Sequence, residues 1–296
     1  MSDIQPAQDR SILTQLFFSP DEPRLRAGWR LLIQTILLFV FGAIVSIVSI
    51  FLGSLNGSFL WVQILNFIIV TSSVYVARRW LDKRSFESLG LRLDGYTLID
   101  ILVGIGISFV QMGFIYVLML GLGWLTFEGF AWEFDPINMV ISGVITAFIA
   151  FMIAGWSEEL LSRGYHLQTI ISGINLFWGV VLSSAIFSFL HFVNPNANWT
   201  GAAGIFFAGI LFAYAYFRTR QLWLPIGLHL GWNFFEGVVF GFPVSGLDIY
   251  ALLRIKVQGP EIWTGGAFGP EAGLIVLPAL VLGTALIYFY TMKRTN

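Results

Sequence analysis

The chain has no cysteine and few charged residues. Without cysteine it has no disulfide, no thiolate metal ligand and no cysteine nucleophile. Charged residues make up 11% of the 296-residue sequence, against roughly 25% in an ordinary soluble domain. The formal net charge of -1 gives no reason to expect a nucleic-acid partner. Composition therefore points away from thiol chemistry and nucleic-acid binding.

What the sequence does have is apolar character, with 57% hydrophobic residues and a mean hydropathy of +0.80. Several apolar stretches approach the roughly 20 residues that cross a bilayer as a helix. They lie at 31–55, 59–77, 98–125, 137–157, 176–193, 201–217, 222–242 and 274–290. A lipid-exposed backbone must satisfy its own hydrogen bonds. We predict an all-α fold, a polytopic membrane bundle of about eight transmembrane helices, with an N-terminal tail at 1–30 and a single transmembrane domain at 31–296.

Positive charges indicate the orientation, because Lys and Arg concentrate in cytoplasmic loops. Arginines precede the first apolar stretch and basic residues follow the second, whereas the loops at 126–136 and 194–200 contain neither Lys nor Arg. Arg254 and Lys256, in the predicted outside loop 243–272, are exceptions. We predict a multi-pass protein of the cell membrane with both termini in the cytoplasm.

The segment 157–165, S-E-E-L-L-S-R-G-Y, places charged residues at the end of an apolar run. On a helix, the adjacent Glu158 and Glu159 point about 100° apart, whereas Glu159 and Arg163 share a face. We expect Arg163 to pair with Glu159, which leaves Glu158 to face a cavity as a general base. The competing interpretation is an ordinary helix end wetted by headgroup water.

The sequence has three histidines, and two of them lie within apolar stretches. Phe187 precedes His191 by one helical turn and Asn233 follows His229 by one turn, so each pair shares a helix face. A lone histidine in a membrane helix often serves only as an interhelical hydrogen-bonding residue. Considered together with Glu158, these polar residues indicate a functional site.

Two further polar residues are ambiguous. Glu236 falls on the helix stripe of His229 and Asn233, and we favour a position near the outside interface over a role in the site. His166 shares a stripe with Glu159 but follows the apolar run, so we interpret it as interfacial.

This set of side chains suits the hydrolysis of an amide bond. A carboxylate takes a proton from water, one imidazole orients that water, and a neutral histidine with an asparagine amide donates hydrogen bonds to a developing oxyanion. A zinc ion held by His191, His229 and Glu158 is equally compatible with the residues. The sequence has no H-E-x-x-H zinc helix, no G-x-G-D aspartyl signature and no G-x-S-G serine elbow.

Three polar motifs stand in order on successive predicted helices: E-E-x-x-x-R at 158–163, F-x-x-x-H at 187–191 and H-x-x-x-N at 229–233. In this order they resemble the CPBP family of intramembrane proteases, which includes type II CAAX prenyl endopeptidases and bacteriocin-processing or immunity proteins. The resemblance covers roughly 156–233 and implies a catalytic core at about 137–242.

The resemblance implies that Glu158 and His191 activate the attacking water, whereas His229 and Asn233 stabilise the oxyanion. The supporting residues are then Glu159, Arg163 and Phe187. It also implies an endopeptidase that cleaves a membrane-delivered peptide, either lipidated or a leader peptide. Because asparagine is an uncommon zinc ligand and a good oxyanion donor, we expect that no cofactor is required, with Zn2+ as the alternative.

The expected partners are a membrane-associated peptide or protein substrate and the lipid bilayer. One alternative is a non-catalytic membrane protein of the same family, an immunity or scaffold protein. Another is a proton-coupled carrier, since intramembrane Glu and His residues also build proton relays.

Helix depth conflicts with a shared site. Straight, centred helices would place Glu158 near the cytoplasmic face and His191 toward the outside. We therefore predict short, broken helices around a polar, water-filled cavity. Activation of one water by both residues requires their side chains to lie within about 10 Å of each other.

Overall fold

The computed structural model describes residues 11–20, 22–51 and 57–294. The beginning of the predicted tail, 1–10, and the end of the first predicted span, 52–55, lie outside the described residues.

Helices dominate the described chain. In chain order the helices and strands are α1 (Ile12–Phe17), α2 (Ala27–Phe51), α3 (Phe59–Val76), α4 (Thr97–Gly121), β1 (Leu125–Phe130), α5 (Ala131–Phe134), α6 (Ile137–Glu159), α7 (Gln168–Gly173), α8 (Leu176–Leu190), α9 (Trp199–Thr219), α10 (Trp223–Asn233), β2 (Leu253–Val257), α11 (Glu261–Thr264) and α12 (Val276–Thr291). The predicted polytopic helical bundle is confirmed.

Within the described ranges, six helical segments are long and apolar enough to cross a membrane. They are Ala27–Phe51, Phe59–Leu81, Thr97–Gly121, Ile137–Gly173, Leu176–Val193 and Trp199–Thr219. The predicted spans at 222–242 and 274–290 fall on the shorter helices α10 and α12. The count of eight crossings therefore stays a prediction.

The first long helix begins inside the predicted tail. Helix α2 starts at Ala27, and Arg30, the last residue assigned to the tail, is only 2% exposed. Its guanidinium pairs with Asp82, which lies just beyond the π-helical turn Ala77–Leu81 that extends α3. This buried ion pair draws the end of the tail into the bundle.

Regular α-helix ends at each of the three polar motifs. Helix α6 ends at Glu159 and continues as a π-helix over Leu160–Leu167. Helix α10 ends at Asn233 and continues as a π-helix over Phe234–Val239. The 3-10 turn His191–Val193 follows α8 directly. Since π-helical turns are frequent at functional sites, these changes of helix type fall where the chemistry is predicted. Helix α6 continues into its π-helix without a break, so the prediction of short, broken helices does not hold for this segment.

Glycines allow α10 to lie directly on α4. A Cβ added to Gly104 on α4 would lie 2.5 Å from the backbone nitrogen of Leu228, and one added to Gly231 on α10 would lie 2.8 Å from the Cα of Ile105. Small residues let membrane helices approach this closely. The contact sets the depth of His229, which is adjacent to Leu228.

A small antiparallel sheet, absent from the hydropathy pattern, covers the predicted outside face. It consists of β1 and β2. Arg254 on β2 donates to the Asp135 carboxylate at 2.5 Å, so this exceptional outside arginine has a local counter-ion. After β2 the chain returns to the bundle, where Glu271 accepts a hydrogen bond from Trp232 on α10.

Candidate active site

The ends of α6, α8 and α10 bring three predicted residues together. Glu158 Oε2 lies 3.6 Å from His191 Nε2 and 3.7 Å from His229 Nε2. The expected proximity of Glu158 and His191 is therefore confirmed. Both separations exceed a direct hydrogen bond, so a third group such as a water is needed to join these atoms.

The other ring nitrogens show which way each imidazole is held. His191 Nδ1 lies 2.9 Å from the Phe187 carbonyl oxygen, and His229 Nδ1 lies 2.8 Å from Glu159 Oε1. A carbonyl and a carboxylate only accept hydrogen bonds, so each Nδ1 carries a hydrogen. In a neutral ring Nε2 then offers a lone pair toward Glu158, and only a protonated ring donates from Nε2.

The predicted pair of Glu159 and Arg163 is present and buried. Arg163 Nη1 donates to Glu159 Oε1 at 2.8 Å, and the two side chains are 2% and 0% exposed. Arg163 Nη2 also donates to the Gly209 carbonyl at 3.2 Å. The interpretation as a wetted helix end is therefore wrong for Glu159, whereas Glu158 retains 30% side-chain exposure.

Two phenylalanines surround the polar groups with apolar surface. The Phe187 ring packs edge-on against the His191 ring, with centroids 4.9 Å apart, as the shared helix face predicts. Phe212 stacks on His229 with an interplanar angle of 17°. The Arg163 guanidinium lies 4.2 Å from the Phe187 ring centroid and 4.9 Å from that of Phe212. These rings therefore pack against the imidazoles and the guanidinium.

A cavity of ≈ 30 Å³ adjoins the histidines and has Asn233 in its wall. A buried water needs about 10–15 Å³ on this measure, so the cavity has room for about two waters. The structure thus brings Asn233 to the same cavity as His191 and His229.

Sequence reasoning missed part of the cavity wall. Glu271 and Ser245 come from the loop between α10 and α12 and also line the cavity. Ser245 Oγ donates to Glu271 Oε2 at 2.5 Å, and Trp232 Nε1 donates to Glu271 Oε1 at 3.1 Å. Burial raises the pKa of Glu271. This loop has no periodicity, and the Gly269-Pro270 pair before Glu271 signals only a turn.

Glu236 and His166, both interpreted as interfacial from the sequence, are buried within the protein. Glu236 is 0% exposed, and neither of its oxygens has a hydrogen-bond partner within the described part of the chain. His166 is 7% exposed, and its Nε2 lies 3.3 Å from Gln34 Oε1 on α2. Neither residue forms part of the cavity wall.

Among the described residues, no group of three or more His, Cys, Asp or Glu side chains is arranged to hold a metal ion. Zinc held by Glu158, His191 and His229 stays the alternative to the expected metal-free site, and the mechanism below is written without a metal.

The comparison with known families agrees with the motif order. The model of the family "Type II CAAX prenyl endopeptidase Rce1-like" matches residues 140–235, a segment that contains all three motifs and the ends of α6, α8 and α10. No curated protein matches the chain significantly. The chain is thus a multi-pass membrane protein whose segment 140–235 is similar to the Rce1-like family of type II CAAX prenyl endopeptidases.

Proposed function

We propose that this protein is an intramembrane endopeptidase that hydrolyses a peptide bond of a membrane-delivered peptide. One observation carries the proposal: Glu158 Oε2 faces the Nε2 atoms of both His191 and His229. The Nδ1 atoms of the two rings are hydrogen-bonded to the Phe187 carbonyl and to Glu159, respectively. A carboxylate and two imidazoles therefore converge on one point. General-base hydrolysis needs such groups around the point at which a water molecule attacks the carbonyl carbon of the peptide bond.

Glu158 acts as the base, and His191 aligns the water. As the water oxygen bonds to the carbonyl carbon, one water proton passes to Glu158 and the carbonyl electron pair moves to the oxygen. The lone pair on His191 Nε2 accepts a hydrogen bond from the second water hydrogen. When the C–N bond breaks, the proton on Glu158 passes to the leaving nitrogen, and the carboxylate is restored.

Charge balance assigns the oxyanion donor. Glu158 and Glu159 carry two negative charges against one on Arg163, and a net charge in buried surroundings is costly. A protonated His229 makes the set neutral and donates from Nε2 to the oxyanion, beside the Asn233 amide. The sequence predicted a neutral His229 as the donor. The His229 Nδ1 hydrogen is donated to Glu159, so a neutral ring would have no hydrogen at Nε2 to donate to the oxyanion.

The family description and the bilayer setting support one class of substrate. We propose a prenylated C-terminal peptide whose lipid delivers it to the site from the membrane. The family match at 140–235 and the burial of the site among apolar helices support this class. The proposal includes a cell-membrane location with both termini in the cytoplasm and hydrolysis that requires no cofactor.

The test compares the purified wild type with Glu158→Gln in liposomes. Prenylated, unprenylated and leader peptides are incubated with each protein, with and without chelator, and products are read by mass spectrometry. We expect the wild type alone to cleave and Glu158→Gln to be at least about 100-fold slower. Glu128→Gln, a change of an exposed glutamate on β1, is the matched control and retains activity.

Three outcomes would contradict parts of the proposal. Wild-type rates from Glu158→Gln would remove the base. Loss of activity with chelator and its return with zinc would replace the metal-free mechanism. If no peptide is cleaved and Glu158→Gln keeps its cellular role, the non-catalytic alternative is favoured.

A further inference from the structure

A second cavity lies away from the catalytic residues, at the predicted cytoplasmic end of the bundle. Its volume is ≈ 460 Å³, and its wall is built from the segment before α2, the start of α2, the end of α7 and the middle of α8. Two arginines, Arg26 and Arg30, line it together with Gly28. It shares no lining residue with the catalytic cavity.

The start of α2 supplies an electropositive end. The first amides of a helix have no intrahelical acceptor, and the helix dipole places partial positive charge there. Residues Ala27 and Gly28, the first of this 25-residue helix, both line the cavity. A Cβ added to Gly28 would meet nothing within 4 Å, so the backbone is open to the cavity at this point.

Arg30 provides a second, independent indication of an anion. Its side chain is 3% exposed, and its guanidinium contacts Asp82 and donates to Ser172 Oγ at 2.8 Å. Its Nε has no hydrogen-bond partner within the described residues, although this atom is buried. A buried donor of this kind is costly unless it is satisfied. Arg30 and Ser172 both line the cavity.

The surrounding charge is also positive. In the ion-pair network beside the cavity, Asp82 is contacted by Arg24, Arg30 and Arg78. Arg26 is exposed, and its Nε donates to the Phe18 carbonyl at 3.2 Å, an acceptor that leaves its charge uncompensated. Glu22 pairs with Arg24 and Arg84 in the same network, so four arginines face two carboxylates there.

The remaining wall is apolar and opens toward lipid. Leu182 and Ile186 on α8 extend from the arginines along the bundle, and Ile174 lies at the mouth. Leu182 is 37% exposed and Ile174 is 59% exposed. An anionic group at one end and an apolar groove at the other match an amphiphile rather than a free ion.

We infer that this cavity binds an anionic phospholipid, with the headgroup phosphate at the start of α2 between Arg26 and Arg30 and an acyl chain along Leu182 and Ile186. The anionic surface of a cytoplasmic leaflet attracts basic residues at this depth. The inference does not depend on the proposed peptidase activity.

Native mass spectrometry of the purified full chain in detergent tests the site. The probes are short-chain phosphatidylglycerol, phosphatidylcholine of the same chain length and inorganic phosphate. Gly28→Leu fills the cavity from its open wall, and Gly42→Leu, on the same helix and also with nothing within 4 Å, is the matched control. Arg26→Gln removes one exposed charge, with Arg79→Gln as its exposed control.

We expect one phosphatidylglycerol to be retained by the wild type, Gly42→Leu and Arg79→Gln, with little phosphatidylcholine. Gly28→Leu should abolish this retention, and Arg26→Gln should weaken it about fivefold, which corresponds to about 1 kcal/mol per basic residue. Equal retention by Gly28→Leu and Gly42→Leu would overturn the site. Displacement of the lipid by equimolar phosphate would identify a free anion and overturn the lipid assignment.

Discussion

Glu159→Gln tests the buried charge set on which the site is built. Glu159 Oε1 is 2.8 Å from Arg163 Nη1 and 2.8 Å from His229 Nδ1, so one oxygen holds both the arginine and the imidazole. The substitution keeps the shape and removes the negative charge. Arg163, 2% exposed, then loses its direct carboxylate partner and keeps the Gly209 carbonyl and two ring faces in contact.

The expected cost is large. Breaking a buried ion pair by removing one partner typically destabilises by about 3–5 kcal/mol, because the remaining charge is uncompensated. We expect Glu159→Gln to lower the free energy of unfolding, measured by titration with sodium dodecyl sulfate in mild detergent, by about that amount. Arg92→Gln is the control, because Arg92 is 73% exposed in its pair with Asp94 and such pairs contribute about 0–1 kcal/mol.

A double variant separates charge from packing. Arg163→Met alongside Glu159→Gln removes both charges and retains an apolar side chain between the phenylalanine rings. We expect the double variant to be more stable than Glu159→Gln alone, with a coupling of at least about 2 kcal/mol, within the range seen for residues in contact. If Glu159→Gln costs less than about 1 kcal/mol, or the two changes simply add, the account of a buried charge pair is refuted.

Three further predictions test the packing around the site. Gly104→Ala should lower the unfolding midpoint and the cleavage rate, because its Cβ would lie 2.5 Å from the backbone of α10. Gly106→Ala is the control and should change neither quantity, because a Cβ at Gly106 meets no atom within 4 Å. Equal effects of the two substitutions would contradict the close contact between α4 and α10. Glu236→Gln should leave the unfolding free energy unchanged or raise it, since the buried carboxyl has no partner among the described residues. Glu271→Ala should lower the unfolding free energy by about 1–3 kcal/mol, because the Trp232 indole and the Ser245 hydroxyl lose their hydrogen-bond acceptor. An unchanged unfolding midpoint would show that these two donors bond to water instead.

The membrane architecture and the members of the site could be read from the sequence for the same reason. A lipid-exposed backbone must be helical, and ionisable groups inside apolar helices are costly, so both leave a local signal. Helical spacing was enough to predict that Arg163 pairs with Glu159 and that Phe187 packs on His191. Both contacts join residues one turn apart on a single helix.

Contacts between distant segments left no such signal. Hydropathy reports which residues are apolar and not where an α-helix changes to a π-helix or a 3-10 turn, so it placed Glu158 and His191 at different depths. Glu159 accepts a hydrogen bond from His229, and Glu271 lines the cavity. Both contacts likewise depend on how separate helices and loops pack. The sequence by itself therefore determined a polytopic helical protein and its polar motifs, because those follow from local chemistry. Only the tertiary structure decided that the motifs meet at one point, because helix ends, glycine contacts and loop closure set distances between residues far apart in the chain.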